Sequence, residues 1–530
     1  MRGVILAFVL AAAFWPTSTR AQCSPTNPTA CGSPGVNNLY VGGLLKLNAG
    51  LVCDGTTDVT ATIQAGITAA AGNATYYIPN TGSACLISAR LNVPSNTHLI
   101  IDGTILMKAG VNQDMLFTVT NASNIVIEGH GILDGNRATQ TTRGAGVMTG
   151  LGNSMVVVKD LTIQHMRNWP VNIVNTTGAW LINLTMNDAG NSAEFAQGTN
   201  NCHASGLNIS NNSDYSFAFY GGVFNCEITN SNLTSGSIDG IIVLSDSGQT
   251  VASHDIVIAD NVINGMAQAG IGINRLGGGA ENHDIVISNN RMSGDGIQTL
   301  NGYCGIRILD AQEVLVSGNH ISNDGNATVS TPCYGILASG ASNDIMVDGN
   351  FILNEGQPSS GLGVGIQVGS SCVRCTFQNN TLGDNQGSPT MAFGVGGTPG
   401  TGNRIINNTI YGTIGDPYSA VFATDTVLQQ IASDAVRVIA AGNGGSITAK
   451  PYAGFMQLNT TPGTIAGYTV TAPSDPTLNE VLTITCNGTV TALTFAPNSG
   501  QTVNGGSTTC GPALSVRWLW NLATTTWLPI

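Results

Sequence analysis
The segments HDIVIADNVI (254–263), HDIVISNNRM (283–292), EVLVSGNHIS (313–322) and NDIMVDGNFI (343–352) decide the fold. Each alternates apolar with polar residues, uses Val and Ile heavily and stops at Gly, Asn or Asp, as a short β-strand with one buried face does. The pattern recurs, with an Asn at Asn183, Asn208, Asn232, Asn261, Asn290, Asn319, Asn350, Asn380 and Asn408, separated by 24 to 31 residues. A second series, Gly240, Gly270, Gly305, Gly335, Gly365 and Gly394, keeps steps of 29 to 35. Two residue types held at a near-constant period imply a solenoid, in which each turn presents the same side chain to its neighbours. A unit of this length without helical periodicity is one turn of a parallel β-helix, an all-β fold whose turns stack about 4.8 Å apart. The recurring Asn is then expected to be buried and to bond its counterpart one turn on.

Composition narrows the partners. With 68 Gly, 9% charged residues and 42% hydrophobic residues over 530 positions, the chain suits one large solenoid plus a small domain. A net charge of −13 with only 17 Lys and Arg disfavours nucleic acid and anionic membranes. Residues 1–21 read as a secretory signal: Arg2, an apolar run to Trp15, Pro16, then small residues to Ala21. The expected product is secreted or periplasmic, with no membrane attachment after cleavage. All twelve cysteines lie beyond that point. The economical disulfide set is Cys23–Cys31, Cys53–Cys85, Cys202–Cys226, Cys304–Cys333, Cys372–Cys375 and Cys486–Cys510, the third and fourth pairs being about one turn apart. The Cys372-Val-Arg-Cys375 spacing has no second such pair or His cluster to make it a metal site.

Residues 22–49 form an N-terminal segment and 50–426 the β-helix. Within 54–71, Val59, Ile63 and Ile67 follow helical spacing after an N-cap at Thr57 or Asp58, and this helix is expected to plug the open end of the solenoid. The run DGTTD, the helix, YIP, LNVPSNTHLIIDGTI and NIVIEGHGILDGN, continued by RNWPVNIVNTTGAWLINLTM (167–186), resembles the pectin-lyase-like superfamily and, within it, the polygalacturonase family. That resemblance implies hydrolysis of a polysaccharide at three successive turns carrying Asn-Thr-Asp, Gly-Asp-Asp and Gly-His-Gly, followed by Arg-Ile-Lys. Here the corresponding residues are Asn191-Ser192-Ala193 with Glu194 next, Ser213-Asp214-Tyr215, Ile238-Asp239-Gly240 and Gly272-Ile273-Asn274 with Arg275 next. The Asp that serves the family as general acid corresponds to Asp214; the other family acids, the His and both basic residues are replaced.

Glycosidic hydrolysis needs a proton donor and a second carboxylate, about 6.5–9.5 Å apart for inversion and closer for retention. Glu194, Asp214 and Asp239 fall on successive turns at nearly one phase, so they are the candidate catalytic acids, with Asp214 as the expected proton donor. Capping of bends is the competing role for Asp214 and Asp239. Tyr215 and Tyr220 offer sugar-stacking faces, and Asn274, Arg275 and Arg307 are the remaining candidate substrate ligands. A surface pairing of Arg307 with Asp310 is the structural alternative. His203, His254 and His283 read as structural. Hydrolysis requires no cofactor; a uronan lyase or epimerase with Ca2+ on Asp residues is a second reading. A non-catalytic, glycan-binding, tailspike-like adhesin is a third.

Residues 427–460 read as a linker or end cap, with a short helix expected over 425–439. Residues 461–530 read as a small β module through which the chain could form a homo-oligomer. Its Trp518, Trp520 and Trp527 are expected in the core, with sugar binding as the alternative.

Overall fold
A computed structural model describes residues 46–47 and 51–530, apart from 113–114, 142–143, 298–302, 323–332, 355–362, 385–390, 398–399, 413–415, 419–425, 436, 450–454, 460–462, 474–475, 477–480, 506 and 513–514. The signal sequence and the Cys23–Cys31 pair lie outside the described residues.

The chain winds into a parallel β-solenoid. Each regular turn gives one strand to a 13-stranded sheet and two, separated by a bend, to a 27-stranded sheet. In the turn around Asn261 these are Ile241–Ser245, His254–Ala259 and Val262–Asn264. Alternation turns every second side chain inward, so Ile241, Ile271, Ile306, Ile336 and Ile366 pair in register and stack in a continuous buried core. The Gly before the first and the third of these is sterically required. A Cβ at Gly240 would lie 2.6 Å from the Gly270 carbonyl oxygen, and one at Gly305 would lie 2.2 Å from that of Gly335.

The Asn series is a ladder only in its later part. Asn261, Asn290, Asn319, Asn350, Asn380 and Asn408 are buried, and each of the first five sends its backbone N–H and its Nδ2 to the Oδ1 of the next. Asn183, Asn208 and Asn232 are exposed and out of phase. Asn208 and Asn232 pair in register with Val262, so the ladder position in their turns is held by Leu207 and Ser231. Leu207 fills its place with apolar burial, while Ser231 carries the bonded chain one turn further, its Oγ accepting the Leu207 N–H at 3.1 Å and its own N–H going to Asn261 Oδ1.

The capping helix spans Thr60–Ala70 and buries Ile63, Ile67 and Ala70 against the first turns. It begins later than Thr57 or Asp58. Val59 is the N-cap, and the Asp58 carboxylate accepts the Thr60 N–H at 3.0 Å from just outside. Five disulfides match the expected pairs, from Cys53–Cys85 to Cys486–Cys510. Cys202 and Cys226 are direct register partners with Cα atoms 4.5 Å apart.

The helix expected over 425–439 is replaced by strands Thr426–Ala435 and Arg437–Ala440. The first pairs in parallel with Arg404–Gly412, so an open sheet edge decides the conformation of a segment with weak intrinsic preference. Strands Arg437–Ala440, Phe455–Asn459 and Val481–Cys486 then stack in parallel, and Ser515–Asn521 closes antiparallel on the last of them. This C-terminal β structure begins earlier than residue 461. Trp518, Trp520 and Trp527 are buried with Phe495 in its core, which removes them as sugar ligands.

Candidate functional site
The corner between the two sheets gathers the candidate acids onto one wall of the solenoid. Glu194 is the second residue of the strand Ala193–Ala196; Ala193 and Phe195 fill the core, so Glu194 points to the outer face. Its register neighbours are Asn172 on the preceding turn and Ala218 on the next. Asp214 and Tyr215 lie in the bend before Phe217–Tyr220, and Asp239 lies in the bend before Ile241–Ser245. Counting back from the paired Phe217 and Ile241 sets Tyr215, not Asp214, level with Asp239. The three acids thus occupy three phases, although the charges of Glu194 and Asp214, and of Asp214 and Asp239, act on each other.

Their environments differ. Glu194 is only 8% exposed. Burial pushes its carboxyl up to about 7, with the Asp214 charge adding to the rise, while the Ser192 hydroxyl, 3.3 Å from Oε2, and the Trp169 indole oppose it. Asp214 is half-buried; desolvation raises its carboxyl as well, against a bond from the Tyr215 amide. Two carboxyls that feel each other's charge in environments this different can serve as an acid–base pair.

Asp239 is different. It is fully buried, its Oδ2 lies 2.5 Å from Arg307 Nη2, and its Oδ1 accepts the Ala269 N–H at 2.9 Å. Burial pushes its carboxyl upward, and the Arg307 guanidinium and the Ala269 amide pull it down. Arginine keeps its proton, so neutralising Asp239 would strand a buried cation; the pair is an ionic strut. Arg307 is accordingly not a surface group paired with Asp310, nor is it turned outward to a ligand: it is 4% exposed and reaches back over Gly272 to Asp239. A Cβ at Gly272 would lie 2.7 Å from Asp239 Oδ2 and 3.1 Å from Arg307 Nη2, so the missing side chain is the opening through which the pair forms.

Tyr215 and Tyr220 pack over an outer layer of Ala218, Ile242 and Leu244. Burial, with Asp239 and Asp214 adding, pushes the Tyr215 phenol up to about 12, and the Tyr220 hydroxyl donates to Asp246. Asn274 is buried one turn beyond, its carbonyl accepting the Asn282 amide, and Arg275 donates Nε–H to the Gly279 carbonyl of its own loop. Of the eight candidates, Glu194, Asp214, Asp239, Tyr215, Tyr220 and Arg307 form one electrostatically connected group. Asn274 and Arg275 have no described contact with it.

Several members escaped sequence reading. Trp169 and Asp246 flank the acids from other turns, and Arg137 spans three corners, with Nη1 2.6 Å from Asp188 Oδ1 and Nη2 2.8 Å from Ser213 Oγ. The Trp169-Pro170 dipeptide just before a strand was the one local signal for a fixed aromatic. His203, His254 and His283 lie on the other sheet, bonded to Glu227, Asp255 and Asp284. Among the described residues the one trio able to converge on a metal, His283, Asp284 and Glu313, is also on that sheet.

Residues 171–352 and 251–427 match the family described as a right handed beta helix region. No curated protein sequence matches the chain. Among solved structures, pre-mature gene product 12 of bacteriophage phi29 superposes with a TM-score of 0.58 at 14% identity, covering 88% of this chain and 66% of that one. The mannuronan C-5 epimerase AlgE4 A-module of Azotobacter vinelandii gives 0.49 at 19% identity, over 72% of this chain and 98% of that one. A polygalacturonase from Erwinia carotovora ssp. carotovora gives 0.41 at 12%, over 74% and 96%. At these identities the likeness concerns the fold.

Proposed function
On the premise of a parallel β-helix whose central turns match a right handed beta helix region, we propose that the chain is an exported protein that hydrolyses glycosidic bonds in a polysaccharide, with Glu194 as proton donor and Asp214 as its carboxylate partner. The observation that carries this reading is the buried Glu194 carboxyl, 8% exposed, next in charge to the more accessible Asp214; burial raises Glu194 to about 7, so that part of it is protonated at neutral pH. At neutral pH such a pair has one acid to protonate the leaving oxygen and one base or nucleophile to complete the displacement. Asp239, tied to Arg307, holds the wall rather than the proton. Five disulfides support export, because such bonds persist in oxidising compartments. The long outer wall suits a linear polymer, since each turn can offer a further subsite.

Release of reducing ends and of ultraviolet-absorbing products from pectin, alginate, xylan and bacterial exopolysaccharides tests the reading. Release of reducing ends without unsaturation, lowered at least 10³-fold in Glu194→Gln and Asp214→Asn proteins that stay folded, is expected for hydrolysis. Unsaturated product with a Ca2+ requirement would replace it with a lyase, and retention without turnover with an adhesin.

A further inference from the structure
The outer wall also says what kind of sugar it can hold. From Asn172 the outward register row runs through Glu194, Ala218, Ile242, Gly272 and Arg307 to Leu337 and Gln367, and the next row through Val174, Ala196, Tyr220, Leu244 and Asn274. In these two rows one residue, Arg307, is a cation, and its charge is held by Asp239 at 2.5 Å. Of the nearby cations, Arg275 is turned to the Gly279 carbonyl, and Arg137, which reaches Ser213 Oγ beside Asp214 at 2.8 Å, has its charge met by Asp188. Arg167 is exposed at the corner one turn before Glu194. Against that stand Glu194, Asp214 and Asp246 around Tyr215 and Tyr220. The floor beneath those two rings is the apolar layer of Ala218, Ile242 and Leu244, which fixes the rings, while the bond to Asp246 fixes the Tyr220 hydroxyl.

A polymer of uronates brings a carboxylate to each subsite and needs a cation to meet it; here it would meet acids in a partly desolvated corner, where like charges repel more strongly than in water. An aromatic platform backed by apolar side chains instead suits the C–H face of an uncharged sugar. We infer that the unit bound across Tyr215 and Tyr220, beside Glu194 and Asp214, is a neutral sugar with an apolar face rather than a uronate. This rests on the reading of the wall as a carbohydrate site, and it departs from the uronan substrates in the names of two structural neighbours.

The test is retention of the mature full-length protein in native gels cast with matched polymers, polygalacturonate against the same polymer methyl-esterified to neutrality and alginate against its propylene glycol ester, with xylan and mannan alongside. Reducing-end release is followed on the same set. Retention by a neutral polymer at least tenfold tighter than by any acidic one, lost in Tyr215→Ala and kept in Tyr215→Phe, is the expected result. The Phe variant keeps the ring and its packing, so it separates lost stacking from lost folding. Equal or tighter retention by an acidic polymer overturns the inference; if Glu194→Gln still abolishes release from that polymer, the hydrolytic reading survives it. Retention by a neutral polymer whose release is indifferent to Glu194→Gln upholds the inference and removes the hydrolytic reading. No retention and no release across the set overturns both.

Discussion

In an unfolded chain Glu194 gives up its proton near its ordinary value of 4.5, whereas in the fold it keeps it to about 7. Between those values the unfolded state binds fewer protons than the folded one, so stability falls as pH rises through the window and levels off above it. The cost is about 3 kcal/mol. Glu194→Gln removes the titration, so thermal melts should show the variant level with the parent near pH 4 and more stable at pH 8, while glycan turnover is lost. A group kept for packing alone would give the stability change without the loss of turnover. The Asp239–Arg307 strut obeys the opposite logic. Arg307→Met leaves a buried carboxylate without its cation and should cost about 3–5 kcal/mol at neutral pH, less in acid where Asp239 takes up a proton, and the pair Arg307→Met with Asp239→Asn should recover most of it. Equal melting of the single and double variants at pH 7 would remove the strut. That Glu194 and Asp214 fall on successive turns was legible in sequence; their difference in phase was not, because Glu194 pairs with Ala218 and Asp214 lies in the bend before that strand. The fate of Asp239 was not, because its partner comes 68 residues later and reaches it across a glycine whose lack of a side chain carries no periodic signal.

At the scale of the element, the Asn ladder shows how far periodicity can be read. Alternating Val and Ile mark strands because burial on one face demands them, and that part of the pattern matched the structure turn by turn. The phase of the Asn did not, because Asn occurs at three neighbouring positions for different reasons. It pairs amides in the buried ladder at Asn290, it accepts a positive φ in the exposed bend just before it, as at Asn183, Asn289 and Asn379, and it opens the next strand on the exposed face just after it, as at Asn208 and Asn232. Period alone cannot separate them. The hydrogen bonds can: Asn319 Oδ1 accepts both the N–H and the Nδ2 of Asn290, whereas Asn261 Oδ1 accepts the Ser231 N–H at the start of the ladder. Asn319→Leu therefore orphans two buried donors and should cost roughly 2–4 kcal/mol, and Asn261→Leu about half as much. Leu is sterically admissible at this position, since Leu207 holds it two turns before Asn261. Denaturant midpoints that rank the two variants the other way would show that the ladder is passive filling.

For the whole molecule, the parallel stack means that each turn is stabilised by its two neighbours and that the ends are the weak points. At the N-terminal end, Ile63 and Ile67 of the helix are fully buried against Leu91 and Leu99, and Cys53–Cys85 ties the segment before the helix to an early strand. Replacing both isoleucines with Ser forfeits about 1.5–3 kcal/mol of burial each and uncovers the apolar cross-section of the first turn. Because coupling runs between adjacent turns, the damage should decay along the axis: amide hydrogen exchange is expected to speed up first in Thr75–Met107, while the turns from Ile241 onward stay protected. The exposed end is also a strand-pairing surface, and the variant should associate in a concentration-dependent way by size-exclusion chromatography despite a net charge of −13, because hydrogen bonding and apolar contact at an open edge act at shorter range than the repulsion. Uniform loss of protection along the chain would mean that it unfolds as one cooperative block, and the placement of the candidate site several turns in from the cap would then give it no shelter from fraying.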